Sequence, residues 1–175
     1  GAIAIDEFMH TNVENIYAIG DVTGKLMLAH TAEAQGVVAA ETLAGAETMP
    51  INYDMIPRAT YCQPQIGSFG YTEAQAKAKF GEIETYDYNL GGNGKSQILG
   101  TTGFIKLVRQ KDGPVIGVHM IGSRVGELIG EGQLIVNWEA YPEDVATLVH
   151  AHPTQNEALG EAHLALAGKP LHSHS

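Results

Sequence analysis

The chain has 175 residues, with ten Lys or Arg against twenty Asp or Glu, a formal net charge of -10. Such a charge repels phosphate backbones, and no Lys/Arg run offsets it, which excludes nucleic-acid binding and a polybasic membrane anchor. A composition of 44% hydrophobic and 17% charged residues is globular, and no apolar run approaches the roughly 20 residues that a membrane helix needs.

The single cysteine, Cys62, excludes an intrachain disulfide or redox pair. It suits a reducing, cytoplasmic compartment and is expected to behave as a small buried hydrophobe. The opening GAIAIDEFMH has no basic stretch ahead of an apolar one and does not read as a signal peptide.

In chain order, Ile16 to Ile19 form a short apolar run ending in Gly20-Asp21. Strands apolar throughout are usually buried on both faces, as in parallel sheets. Ala29 to Ala44, rich in Ala and Glu, predicts a helix with Gly45 as its C-terminal cap. No other strands of such a sheet precede it, so Gly1 reads as a point where a longer protein was divided. Residues 50–57, bounded by Pro50 and Pro57, read as a linker between a first segment, 1–49, and a domain covering 58–175.

In that domain Arg58 to Cys62 and Ile66 to Tyr71 read as strands flanking Gln63-Pro64. Thr72 and Gln75 have capping-box spacing and open a helix to about Lys79. Ile83 to Leu90 is β-rich. The glycine-rich stretch from Gly91 to Gly103 lacks phosphate-loop spacing and reads as a mobile loop. Asp112-Gly113 is a turn between strands Phe104 to Arg109 and Val115 to Ile121, a β-hairpin. Ser123 is expected to cap an amphipathic helix to about Trp138. Pro142 opens a short helix with acids in its first turn, and Thr154 opens a last one running to about Ala167. Strands followed by helices give an α+β domain with an antiparallel sheet and flanking helices.

Two segments look like sites. In the first, His150-Ala151-His152-Pro153-Thr154-Gln155-Asn156-Glu157, a histidine stands near a carboxylate, the pairing that raises imidazole basicity and fixes its tautomer. Pro153 disfavours a helical conformation at His152, so its side chain should project from the loop. Thr154 and Glu157 are also spaced as a capping box, so Glu157 serves either a helix end or His152. In the second, Asp21 stands just past a strand end, where a carboxylate accepts from sugar hydroxyls or simply makes a turn. The helix beginning near Ala29 offers N–H groups and a positive dipole end to an anion or an electron-rich ring. His150 and His163 read as structural, and the His172/His174 tail is too short to define a metal site.

Together these strings resemble the pyridine nucleotide–disulfide oxidoreductases, and within them the dihydrolipoamide dehydrogenases. Thr11, Tyr17-Ala18-Ile19-Gly20-Asp21, Met27-Leu28-Ala29-His30 and Ala32-Glu33-Ala34-Gln35-Gly36 are similar to the end of that family's flavin-binding region. His150-Ala151-His152-Pro153-Thr154, Glu157-Ala158 and Gly168-Lys169-Pro170-Leu171-His172 are similar to its C-terminal end. The resemblance implies that residues 1–49 are a remnant of an FAD-binding Rossmann domain and that 58–175 are an interface domain making a homodimer. It implies that Asp21 bonds the ribityl or sugar-phosphate part of FAD and that Met27, Leu28, Ala29 and His30 line the isoalloxazine. It also implies that His152 is the acid–base and Glu157 its orienting carboxylate, acting on the lipoyl group of a 2-oxoacid dehydrogenase complex with NAD+ as final acceptor. The family's glycine-rich FAD turn, cysteine pair and NAD domain are absent, so the chain alone is expected to be inactive and to bind no cofactor. A glutathione-reductase-like enzyme and a non-catalytic dimerisation module are the alternatives.

Overall fold

The structure, a computed structural model, describes residues 1–172 and divides into two compact units, residues 1–56 and residues from Pro57 onward. No helix among the described residues is long and apolar enough to cross a membrane.

The first unit is built on helix α1, Ala29–Leu43, whose end is followed by Gly45 in the left-handed region, the conformation a glycine adopts without a Cβ penalty. Val38 and Ala39 of α1 pack with Met9, and Ile5, Phe8, Tyr17 and Ile51 close around them. The predicted strand at Ile16 to Ile19 does not form. Tyr17 makes only an isolated bridge to His10, and Ile16 and Ile19 are exposed. An apolar run becomes a strand only where a neighbour takes up its backbone groups, and none among the described residues does so beyond that bridge.

The second unit is a five-stranded antiparallel sheet: β1 (Arg58–Thr60), β2 (Gln65–Gly70), β3 (Ile83–Asn89), β4 (Phe104–Gln110) and β5 (Val115–Gly122), in the order β1-β2-β5-β4-β3. Helix α2 (Glu73–Phe80) opens with the predicted capping box: the Thr72 hydroxyl accepts from the Gln75 N–H, and the Gln75 side chain accepts from the Thr72 N–H. Then follow α3 (Gly94–Leu99), α4 (Val125–Asn137), α5 (Pro142–Ala146) and α6 (Glu157–Leu166). The α+β class with an antiparallel sheet is as the order of strands followed by helices predicts.

Opposite residues in paired strands share a face. The register Phe69–Val118–Leu107 and Gly67–Met120–Ile105 therefore sets one apolar face, whose five side-chain-bearing members are at most 1% exposed. Helix α4 packs on it at β2 and β5, and α6 at β3 and β4. The other face is mixed, with Ile66, Ile121 and Phe104 in one row and Ser68, His119 and Lys106 in the next. There Lys106 holds Glu73 of α2 at 2.8 Å, and His119 Nδ1 meets the Ser68 hydroxyl at 2.7 Å. Gly70 and Gly117, paired across β2 and β5, let the backbones close up: a Cβ on Gly117 would lie 2.1 Å from the Tyr71 carbonyl.

Four local readings are corrected. The glycine-rich stretch is not a plain loop, because Asn93 accepts from the Ser96 N–H and so caps α3. Ser123 does not cap α4; Arg124, left-handed at φ 62°, holds that position, with Ser123 in the preceding turn. The last helix begins at Glu157, because the Thr154 hydroxyl turns back to the Ala151 carbonyl instead of capping forward. Cys62 is exposed, its thiol donating to the Pro64 carbonyl at 2.8 Å.

Candidate active site

Helix α6 starts directly after the loop from His150 to Asn156, so its first residue, Glu157, faces back over that loop. One carboxylate oxygen meets Nδ1 of His152 at 2.8 Å, and the other accepts from the Thr154 N–H at 2.8 Å. Glu157 thus serves His152 and the loop backbone, one oxygen each, but the capping box does not form: α6 starts at Glu157 itself with no side-chain cap. The Thr154 N–H, followed by His152, holds the Glu157 carboxyl below its ordinary value against the opposing effect of burial. An ionised Glu157 accepts from Nδ1–H, which leaves Nε2 of His152 with its lone pair outward. The His152 side chain is 76% exposed, so that lone pair faces a space a substrate can enter. The His152–Pro153 peptide is cis.

The dyad borders a cavity of about 420 Å³, which also touches His150, Tyr88, Glu161 and His172. Burial, and next the Glu161 carboxylate, push the Tyr88 phenol up to about 12, so it remains a neutral hydroxyl. Glu161 accepts from both the backbone N–H (2.9 Å) and the Nδ1 (3.0 Å) of His172, holding that residue against the cavity. His174 lies outside the described residues. His163, read as structural, is fully buried and directs Nδ1 at the Leu159 carbonyl 2.6 Å away.

Around the dyad's loop are residues that the sequence reading passed over. Glu131 of α4 accepts from Nε2 of His150 and from Nδ2 of Asn156, each at 2.7 Å. Asn93 donates to the Thr154 carbonyl at 3.0 Å. The signal for Glu131 was present: it is a carboxylate set among Leu128, Gly132 and Ile135, on the buried stripe of an apolar helix.

The second site-like segment lies in the first unit. Asp21 is exposed on a single 3₁₀ turn, Gly20–Thr23, and α1 opens after Leu28 with no side-chain cap. Met27 is 68% exposed, Leu28 half-buried, and Ala29 and His30 form the exposed first positions of α1. Gln35, fully buried, accepts from the Gly20 N–H at 2.6 Å and donates to the Tyr53 hydroxyl at 3.0 Å. It thereby fixes the turn that carries Asp21.

The dimerisation domain of the pyridine nucleotide-disulphide oxidoreductases matches residues 56–163, more than half of the chain. The chain belongs to that family. A second pyridine nucleotide-disulphide oxidoreductase domain matches residues 1–36. This family member is 51% identical over 173 residues to a dihydrolipoyl dehydrogenase of Corynebacterium glutamicum, covering 96% of the chain and 37% of that protein. It is 39% identical to the Bacillus subtilis dihydrolipoyl dehydrogenase, over 98% of the chain and 37% of that protein. The chain thus spans just over a third of the length of these relatives. The crystal structure of LpdA from Mycobacterium tuberculosis superposes with a TM-score of 0.85 at 25% identity, over 94% of this chain and 36% of that one. The flavoprotein disulfide reductase RclA of Escherichia coli shares the fold, with a TM-score of 0.82 at 21% identity over 93% of this chain and 38% of that one.

Proposed function

We propose that these residues serve as the interface portion of a dihydrolipoyl dehydrogenase and supply its acid–base, His152, oriented by Glu157. The observation that carries this reading is the 2.8 Å contact between Glu157 and His152 Nδ1, which leaves Nε2 as an outward base. Nε2 takes the proton of a dihydrolipoyl thiol, because the thiolate is the nucleophile in disulfide exchange. The thiolate's electron pair forms a new S–S bond to one sulfur of a cysteine pair outside these residues. The S–S bond of that pair breaks, and its second sulfur leaves as thiolate. Glu157 stabilises the imidazolium meanwhile, and Nε2–H later returns the proton.

The first unit has what a flavin requires on its side: an exposed carboxylate at Asp21 for hydroxyls of the ribityl or sugar portion, and an uncapped helix start whose positive dipole end favours an electron-rich ring. Met27, Leu28, Ala29 and His30 would line that ring. FAD, when bound, supplies the two-electron acceptor that links the dithiol to NAD+. Since these 175 residues hold one cysteine, they do not turn over by themselves. Their partners are a second copy, in a two-fold homodimer, and the lipoyl group of a 2-oxoacid dehydrogenase complex. A dyad that serves the other subunit requires such an isologous contact.

The test is a chimera in which these residues replace the matching third of the Corynebacterium glutamicum enzyme, assayed for dihydrolipoamide-dependent NAD+ reduction. The chimera should be active and the chain alone inactive and colourless after gel filtration with FAD. A dimeric, flavin-loaded chimera whose rate is unchanged by His152→Gln would overturn the assignment.

A further inference from the structure

We propose that Glu131 is a positioning residue for the dyad, clamping both arms of the loop that carries it. The inference rests on the reading of His152 and Glu157 as the acid–base pair. Those two side chains hold each other, and little else holds His152, which is 76% exposed. What fixes their backbone is a set of ties to other elements. Glu131 reaches from α4, with one oxygen 2.7 Å from His150, two residues before His152. Its other oxygen is 2.7 Å from Asn156, the residue immediately before Glu157. One carboxylate therefore spans the entry and the exit of the loop. Asn93, 4% exposed and already capping α3, ties the middle of the loop at the Thr154 carbonyl.

The anchor is itself confined. The side chains of His150 and Glu131 are 13% and 24% exposed. The imidazole of His150 lies against α6 where Gly160 leaves room, and a Cβ there would be 2.8 Å from its Nδ1. Charge-assisted bonds to a carboxylate are the strong class of hydrogen bond, and here both partners are donors. A bent loop with a largely exposed functional histidine is thus referred to a helix packed on the sheet.

Two substitutions test this in different ways. Glu131→Leu keeps bulk and helix propensity but removes both acceptor oxygens. Gly160→Ala leaves Glu131 intact and pushes the His150 ring off its position. The readout is the tautomer of His152 by nitrogen NMR of the 175-residue chain, alongside kcat and KM in the chimera with the Corynebacterium glutamicum enzyme. Both variants should shift His152 from the Nδ1–H form toward the mixture of a free imidazole and lower kcat about tenfold, with KM for dihydrolipoamide little changed. Unchanged tautomer and kcat in folded Gly160→Ala, or in Glu131→Leu with only its thermal midpoint lowered, would overturn the proposal and leave Glu131 a packing residue. Glu157→Gln is the control. If it too leaves the His152 tautomer unchanged, the dyad reading fails, and not the clamp alone.

Discussion

Glu157 gives one oxygen to His152 and the other to the backbone of Thr154, each at 2.8 Å. Orientation of the base and anchoring of the Thr154 N–H in the loop ahead of α6 are therefore carried by separate atoms and can be separated by substitution. Glu157→Gln retains an oxygen for the Thr154 N–H but removes the charge that stabilises the imidazolium. In the chimera it should lower kcat on the order of 10²-fold, and His152→Gln on the order of 10³-fold. Stability should barely move for Glu157→Gln, whereas Glu157→Ala should cost about 1 kcal/mol by leaving the Thr154 N–H without its acceptor. Steady-state kinetics and urea denaturation of the same variants read the two roles.

His163 predicts an acid-sensitive fold. Burial pushes its imidazole down to about 4 from 6.5. Its Nδ1 faces a carbonyl, while Nε2 is buried without a partner among the described residues, so a second N–H there would find no acceptor. The unfolded chain binds the proton more readily. Stability from this group is therefore complete above about pH 6.5 and declines as pH falls towards 4. The loss amounts to about 3 kcal/mol. His163→Leu should flatten this part of the profile when denaturation is compared at pH 7 and pH 4.5.

The space around each glycine predicts opposite signs for two substitutions. Gly117→Ala places a methyl 2.1 Å from the Tyr71 carbonyl, a backbone atom that cannot rotate away. It should destabilise by on the order of 3 kcal/mol. Gly130, on the exposed side of α4, has open space about its Cβ position. Gly130→Ala should stabilise by about 0.5–1 kcal/mol through helix propensity alone. Thermal unfolding of the two variants is the check.

Leu134, on α4, and Trp138, the residue capping its C-terminal end, lie one turn apart and are 48% and 75% exposed. An apolar pair at that spacing is surplus to the core and suits a subunit contact. Light scattering should give the mass of two chains. Replacing both residues by Ser should give the mass of one, with the circular dichroism spectrum retained.

The sheet and the main helices were legible because alternation and helical periodicity come from burial, and the second unit buries its own faces. The run from Ile16 to Ile19 has the same apolar character, but periodicity cannot report whether a neighbouring strand is at hand. Two helix starts were misread. Thr154 turned to Ala151, and Arg124 took the place assigned to Ser123. In the site, His152 and Glu157 were readable because they are close in sequence. Glu131 was not, since its partners lie 19 and 25 residues away, and only its position on an apolar stripe marked it.

The order β1-β2-β5-β4-β3 leaves two strands at the margins of the sheet. Exposed margins invite pairing with other chains, the route to aggregation. One margin here, β1, is only three residues long. The other, β3, carries Glu84 and Asp87, which engage Arg109 and Lys106 of the neighbouring strand. Brevity on one side and charge on the other deny an incoming strand a long apolar template. The sheet is thereby protected against open-ended growth, which leaves the exposed Leu134 and Trp138 of the helical side as the apolar surface for the proposed two-fold pairing.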